Sequence, residues 1–155
     1  MNVVLQKNQF NIENINLLKK KANNVISGYF TKFIYSSELF TMNGLYLDFS
    51  IYNMVSNIEN KCLSISYQPY EKDNMYQVNY LTNIEGQLLD YYNCINNIRK
   101  QCVPILSKKL YSGNLKKILD ANILPNNVIT VKVSGIWETE NEIGLAIKMI
   151  FNTDI

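Results

Sequence analysis

Two stretches late in the chain alternate most regularly. Between residues 128 and 137, Ile129, Val131, Val133 and Trp137 share one parity, and between 143 and 151, Ile143, Leu145, Ile147, Met149 and Phe151 do the same. Successive side chains of a strand point to opposite faces, so a period of two predicts two half-buried strands. The acidic run Glu138 to Glu142 between them predicts a hairpin connection. Earlier, residues 29–40 are dense in aromatic and β-branched side chains, and residues 45–54 alternate again. The Met42-Asn43-Gly44 turn between them carries the strongest short hairpin signal, so residues 29–54 read as a second hairpin of two long strands. A third strand is expected over 61–67, where Leu63, Ile65 and Tyr67 alternate with Cys62, Ser64 and Ser66, and a fourth over 75–80.

Other segments show helical spacing. Ile12, Ile15, Leu18 and Ala22 predict a helix over 11–25, with Lys19, Lys20 and Lys21 in its last turns and Gly28 beyond it. Residues 82–99 predict the principal helix. Thr82 and Glu85 make a Thr-x-x-Glu capping box, and Ile84, Leu88, Tyr91, Tyr92, Ile95 and Ile98 form its apolar stripe. Short helices are expected after Pro104 and, following Ser112, over 115–119. No repeat, low-complexity tract or linker interrupts the 155 residues, which predicts one domain over 1–155. The order helix, strands, mid-chain helix, closing hairpin predicts an α+β fold with a mainly antiparallel sheet. A small barrel would bury such a sheet without open edges.

Composition narrows the chemistry. Histidine is absent, which removes most general acid–base catalysis, the Ser-His and Cys-His nucleophile pairs and most transition-metal sites. The three cysteines, Cys62, Cys94 and Cys102, have no zinc-site spacing, so neither a metal nor a disulfide is expected, and sparse thiols suit an intracellular setting. Asp48, Glu71, Asp73, Glu85 and Asp90 form no recognisable catalytic pair, so no enzyme and no cofactor is expected. Ser112-Gly113-Asn114 reads as a helix cap with free N–H groups and lacks the first glycine of a phosphate loop. No apolar run approaches the ~20 residues that span a bilayer, and the first residues do not read as a secretory signal. The 23 Asn, 19 Ile and 14 Lys against 3 Ala and a single Arg match A/T-rich codon usage, so part of the lysine and tyrosine surplus reflects the genome.

Charge is segregated even so. Net charge is +4 over residues 1–35, −5 over 36–90, +6 over 91–132 and −3 over 133–155. Arg99, Lys100, Lys108, Lys109, Lys116 and Lys117 fall within 19 residues, and their convergence on one side would make a phosphate-tracking groove. Lys19, Lys20 and Lys32 are further candidate phosphate contacts. Tyr35, Tyr46, Tyr67 and Trp137 are candidate platforms for stacked bases. The opposing reading of each is ordinary: lysines on solvated faces, aromatics in the core.

The segment Val131-Lys132-Val133-Ser134-Gly135-Ile136-Trp137, its acidic turn and Ile143-Gly144-Leu145-Ala146-Ile147-Lys148 resemble the closing hairpin of single-stranded-DNA-binding proteins of DNA viruses and phages. About twenty residues carry the resemblance. It implies an oligonucleotide-binding (OB) barrel and a role in viral DNA replication, recombination or repair. Arginine is nearly absent and no acidic tail is evident, so tail-mediated recruitment of partners is not expected. The expected function is non-enzymatic binding of single-stranded nucleic acid. The alternative is a viral structural or host-interaction protein acting through protein contacts. Strands apolar on both faces would suit such contacts, homo-oligomerisation included.

Overall fold

The computed structural model describes residues 4–6, 9–119 and 124–152. The closing hairpin forms as expected from β10 (Val128–Glu138) and β11 (Glu142–Phe151), the longest strands of the fold. Its pairing is irregular at one point. Val133 lies opposite Ile147 and Gly135 opposite Ala146, so Ser134 is an extra residue, a β-bulge. The bulge reverses the parity of the rest of β10. Ile129, Val131, Val133 and then Ile136 are buried, while Trp137 moves to the opposite face. Regular alternation without the bulge puts Trp137 with the buried set instead.

The bulge also divides the neighbours of β10. Before it, residues 128–133 pair with β5 (Leu45–Ser50), and after it residues 135–138 pair with β3 (Tyr29–Ser36), both antiparallel. Gly44 makes this change of partner possible. Its φ is +92°, and a Cβ there would lie 2.5 Å from the Val133 carbonyl oxygen. The Asn-Gly pair is therefore not a hairpin loop between two long strands. The chain turns over residues 37–40, pairs briefly with β3 as β4 (Thr41–Asn43), and then crosses to β10.

The predicted N-terminal helix is extended instead. A single 3-10 turn (Ile12–Asn14), capped by the Asn11 side chain, leads into β1 (Ile15–Leu17) and β2 (Lys21–Ala22), both paired with β3. Five asparagines between 11 and 24 bond readily to nearby backbone and disfavour a helix, while Ile15 gains burial opposite Tyr35. Strand β8 (Gln101–Val103) adds in parallel to β11, giving an eight-stranded sheet that runs β1-β3-β10-β11-β8. No pairing among the described residues joins its two ends, so the sheet is open and the expected barrel closure is not found. A second sheet contains β6 (Val55–Glu59), β7 (Cys62–Ser66) and β9 (Asn114–Ile118). The predicted helix over 115–119 is thus strand β9. Gly113, at φ +69°, turns the chain, and Leu115 pairs with Ile65 in the core.

Helix α1 (Lys72–Ile95) starts ten residues before the expected capping box. The predicted strand over 75–80 is its first part, and Thr82 is mid-helix. Asn74 disguised this start. It is buried, accepts from the Tyr52 N–H (2.7 Å) and donates to the Tyr52 and Gln68 carbonyls (3.0 Å each), so a polar side chain occupies a core position. Val78, Leu81, Ile84, Leu88 and Tyr92 then pack α1 against one face of the large sheet, in one continuous core. Glu85 does not cap its own helix. Its buried carboxylate accepts from the N–H groups of Leu106 (2.8 Å) and Ser107 (3.0 Å) and from Ser107 Oγ (2.5 Å), which caps α2 (Ile105–Tyr111). The fold is α+β with mostly antiparallel sheets and two helices.

Replacing Glu85 by Ala strands three donors in the core and should destabilise the fold by about 2–4 kcal/mol, with Gln costing less because one acceptor survives. The midpoint of urea unfolding measures both. Equal midpoints for wild type and Glu85→Ala would contradict this capping role.

Candidate nucleic-acid interface

With α1 on one face of the large sheet, the other face carries side chains in transverse rows. The register gives Phe30, Trp137 and Gly144 in the first row, then Lys32, Gly135 and Ala146. Beyond the bulge come Tyr46, Lys132 and Lys148, then Asp48, Thr130 and Ile150. The first rows form a flat apolar shelf because two of their members are glycines. A Cβ on Gly144 would sit 2.3 Å from the Trp137 indole, and one on Gly135 would sit 2.8 Å from the tip of the Phe30 ring. Both aromatics therefore lean across bare backbone and stay half exposed. Residues 21–26 wall this shelf on one side, enclosing an open groove of about 770 Å³ with Val25, Ile26 and Ala146 in its lining. Lys21 and Glu142 are the charged groups that line it.

Lys132 and Lys148 stand directly opposite each other. Like charges in that arrangement destabilise a sheet. Neither has an ion pair among the described residues, and Lys132 Nζ lies 5.6 Å from the Tyr46 ring centre. The nearest compensating chemistry on this face is Asp48, whose carboxylate accepts from Thr130 Oγ1 (2.5 Å).

The end of β10 has a different electrostatic character. Glu138 is buried beneath the sheet, and its carboxylate accepts from Tyr92 OH (2.5 Å), Lys100 Nζ (2.5 Å) and Lys20 Nζ (3.0 Å). Burial pushes the Glu138 carboxyl upward, but the bonds from Lys100, Tyr92 and Lys20 outweigh it and bring the value to about 2 from the usual 4.5. Burial, reinforced by the bond to Glu138, pushes the Tyr92 hydroxyl up to about 12. Lys100 also donates to the Thr139 carbonyl (2.6 Å), and Lys20 lies 5.2 Å from the Tyr29 ring centre.

The expected site residues are accordingly scattered. Lys20 and Lys100 are structural cations, both ion-paired to the single carboxylate of Glu138. Tyr35 is a core residue, its hydroxyl donating to the Gln9 carbonyl (3.0 Å) and accepting from the Asn11 N–H (3.1 Å) and Asn14 Nδ2 (3.2 Å). Tyr67 is buried too and donates to the Leu110 carbonyl (2.6 Å), while Tyr46 is buried in its row beside Lys132. None of the three tyrosines offers a free ring face, which corrects the stacking role expected of them. Lys19 and Arg99 are exposed outside regular elements, and Lys108 is exposed on α2. Lys109, Lys116 and Lys117 do come together, in a cleft beside β11. The six basic residues of 99–117 thus do not form one patch. Trp137 and Lys32 remain on the open face, joined by Phe30, Lys132 and Lys148, which sequence reasoning missed. Counting back from the acidic turn would have paired Lys132 with Lys148 only if the bulge were known.

Among the described residues no helix is long and apolar enough to cross a membrane, and no three His, Cys, Asp or Glu side chains cluster as metal ligands. The chain matches no protein-family model, no curated protein and no solved structure.

The Glu138 network predicts a specific pH dependence. A depressed carboxyl stabilises the fold fully above about pH 4.5 and loses that contribution as pH falls towards about 2. Wild type should exceed Glu138→Gln by about 3 kcal/mol at pH 7, and the gap should close near pH 2. Urea unfolding at pH 2.5, 4.5 and 7 measures it. A gap independent of pH would mean the charge is not what stabilises the site.

Proposed function

We propose that this protein binds single-stranded nucleic acid on the open face of its large sheet and has no catalytic role. One observation carries the reading: Lys132 and Lys148 are held opposite each other, without a carboxylate partner among the described residues, beside a shelf of half-exposed aromatics. A sheet keeps such a repulsive pair at a cost, and a phosphate lying between the two ammonium groups would offset it. Trp137 and Phe30, leaning over glycines, supply ring faces for unpaired bases, whose stacking tolerates any sequence. Lys32 and Lys21 extend the cationic border of the shelf. The resemblance of the closing hairpin to viral and phage single-stranded-DNA-binding proteins points the same way. It suggests an OB-related sheet in an open form, in replication or recombination of an A/T-rich genome.

The apolar character of the groove favours a second reading, in which a protein surface, such as another copy of this chain, covers it. Val25 in its lining is almost fully exposed, and Leu39, Val55 and Ile118 are exposed elsewhere.

Trp137 is the only tryptophan, so it reports on its own shelf. Titration with oligo(dT) at low salt should quench its fluorescence, and raising the salt should weaken binding. Phe30→Ala should cost about tenfold in affinity or more, the loss of one stacked base. Fluorescence unmoved by oligo(dT) at low salt, together with a mass by analytical ultracentrifugation of two chains or more, would replace the nucleic-acid reading with the second.

A further inference from the structure

A separate cleft of about 280 Å³ lies between β9 and β11. Lys109 of α2, Lys116 and Lys117 of β9 and Lys148 of β11 line it, with Phe151 at one end and no carboxylate in the lining. None of these four lysines has an ion pair among the described residues. Lys117 Nζ lies 5.6 Å from the Phe151 ring centre and donates to the Met149 carbonyl (3.3 Å), so its cation is positioned by a ring and a backbone oxygen rather than neutralised. Consecutive residues of both strands, 114–117 and 147–149, line the cleft, so it follows their edges. β9 has only β7 as a partner among the described residues, and β11 beyond Gly144 has only β10. Lys148 belongs to both places. It faces Lys132 on the open sheet and also lines the cleft, four residues along β11 from the Gly144 that Trp137 covers, a span of ~13 Å.

We propose that the cleft is a second phosphate-binding segment, and that a single nucleic-acid strand runs from the Trp137 shelf across Lys132 and Lys148 into it. This rests on the sheet-face reading and adds the path and length of the bound strand. Four unpaired cations around a small concave volume raise the local potential for a phosphodiester backbone, while bases are read only at the shelf. Short strands then occupy the shelf alone, and longer ones gain the cleft.

The test compares oligo(dT) of roughly four and roughly twelve nucleotides, lengths at the low end and within the usual range for such surfaces. Wild type is set against the combined variant Lys109→Gln, Lys116→Gln, Lys117→Gln, with circular dichroism confirming that the variant is folded. Trp137 quenching is followed over a salt series. For the longer strand the variant should lose roughly tenfold or more in affinity, and the slope of log affinity against log salt should shrink by about 2, three phosphate contacts at ~0.7 each. For the shorter strand both quantities should match wild type. An unchanged slope for the longer strand in the folded variant overturns the proposal, as does an equal loss for both lengths. So does wild-type protein that binds poly-glutamate in preference to the longer strand. Failure of the underlying sheet-face reading looks different: Trp137 in wild type then responds to neither length.

Discussion

The bulge at Ser134 is the constraint on which the rest of the structure depends. One residue of excess in β10 does three things. It divides the strand between two neighbours, β5 before it and β3 after it. It keeps Ile136 in the core, although Val133 three residues earlier is already there. It turns Trp137 outward, which creates the aromatic shelf. Gly44, at φ +92° against the Val133 carbonyl, and Gly135, against the Thr31 carbonyl, are the places where neighbouring chains come too close for a side chain. Without the extra residue, Trp137 would point into the space that α1 fills and Ile136 would face solvent.

How much of this was legible follows from which signals are local. The hairpin over 128–151, strand β7 and helix α2 announce themselves through alternation and through Pro104, because their packing repeats every two residues or follows a fixed cap. The α+β class was legible for the same reason. Barrel closure was not, because it depends on whether distant edges pair. The segment 11–25 shows helical spacing by coincidence. Ile15 is the member of that set buried in the core, with Ile12 packed at its margin, and it is reached by an extended chain. The apolar stripe marks only the later part of helix α1, because Asn74 and Gln77 are buried where apolar residues would signal its start. At the candidate interface the lysines were legible as charges but not as neighbours. Lys100 and Lys20 resemble free cations in the sequence, yet they meet Glu138 across 38 and 118 residues. Tyr35 and Tyr67 are indistinguishable from exposed strand aromatics until their hydroxyls are seen to bond inside the core.

Positive charge in the molecule is handled in two opposite ways. At the end of β10 two lysines and a tyrosine hydroxyl are gathered on one buried carboxylate, where every group has a partner. Beside β11, Lys132 and Lys148 stand opposite each other and Lys117 lies over a ring, with no ion pair to any of the three among the described residues. A near-neutral total of +2 hides this contrast. The first arrangement contributes to stability and the second spends some of it, and that asymmetry separates structural cations from those available to a ligand.

The shared strand also sets the order in which the molecule can assemble. β3 and β5 leave the ribosome roughly eighty to a hundred residues before β10, at up to about 20 residues per second, so they wait several seconds for the strand that joins them. During that interval Leu45 and Leu47 are apolar side chains on a strand lacking its main partner, whereas β3 already has β1, β2 and β4, and α1, synthesised in between, is the next element able to shield β5. The β10–β11 hairpin is local and closes within microseconds once made. Nascent chains halted between α1 and β10 are therefore the species most exposed to aggregation. Growth temperature and translation rate, more than the stability of the finished fold, should govern how much soluble protein a cell recovers.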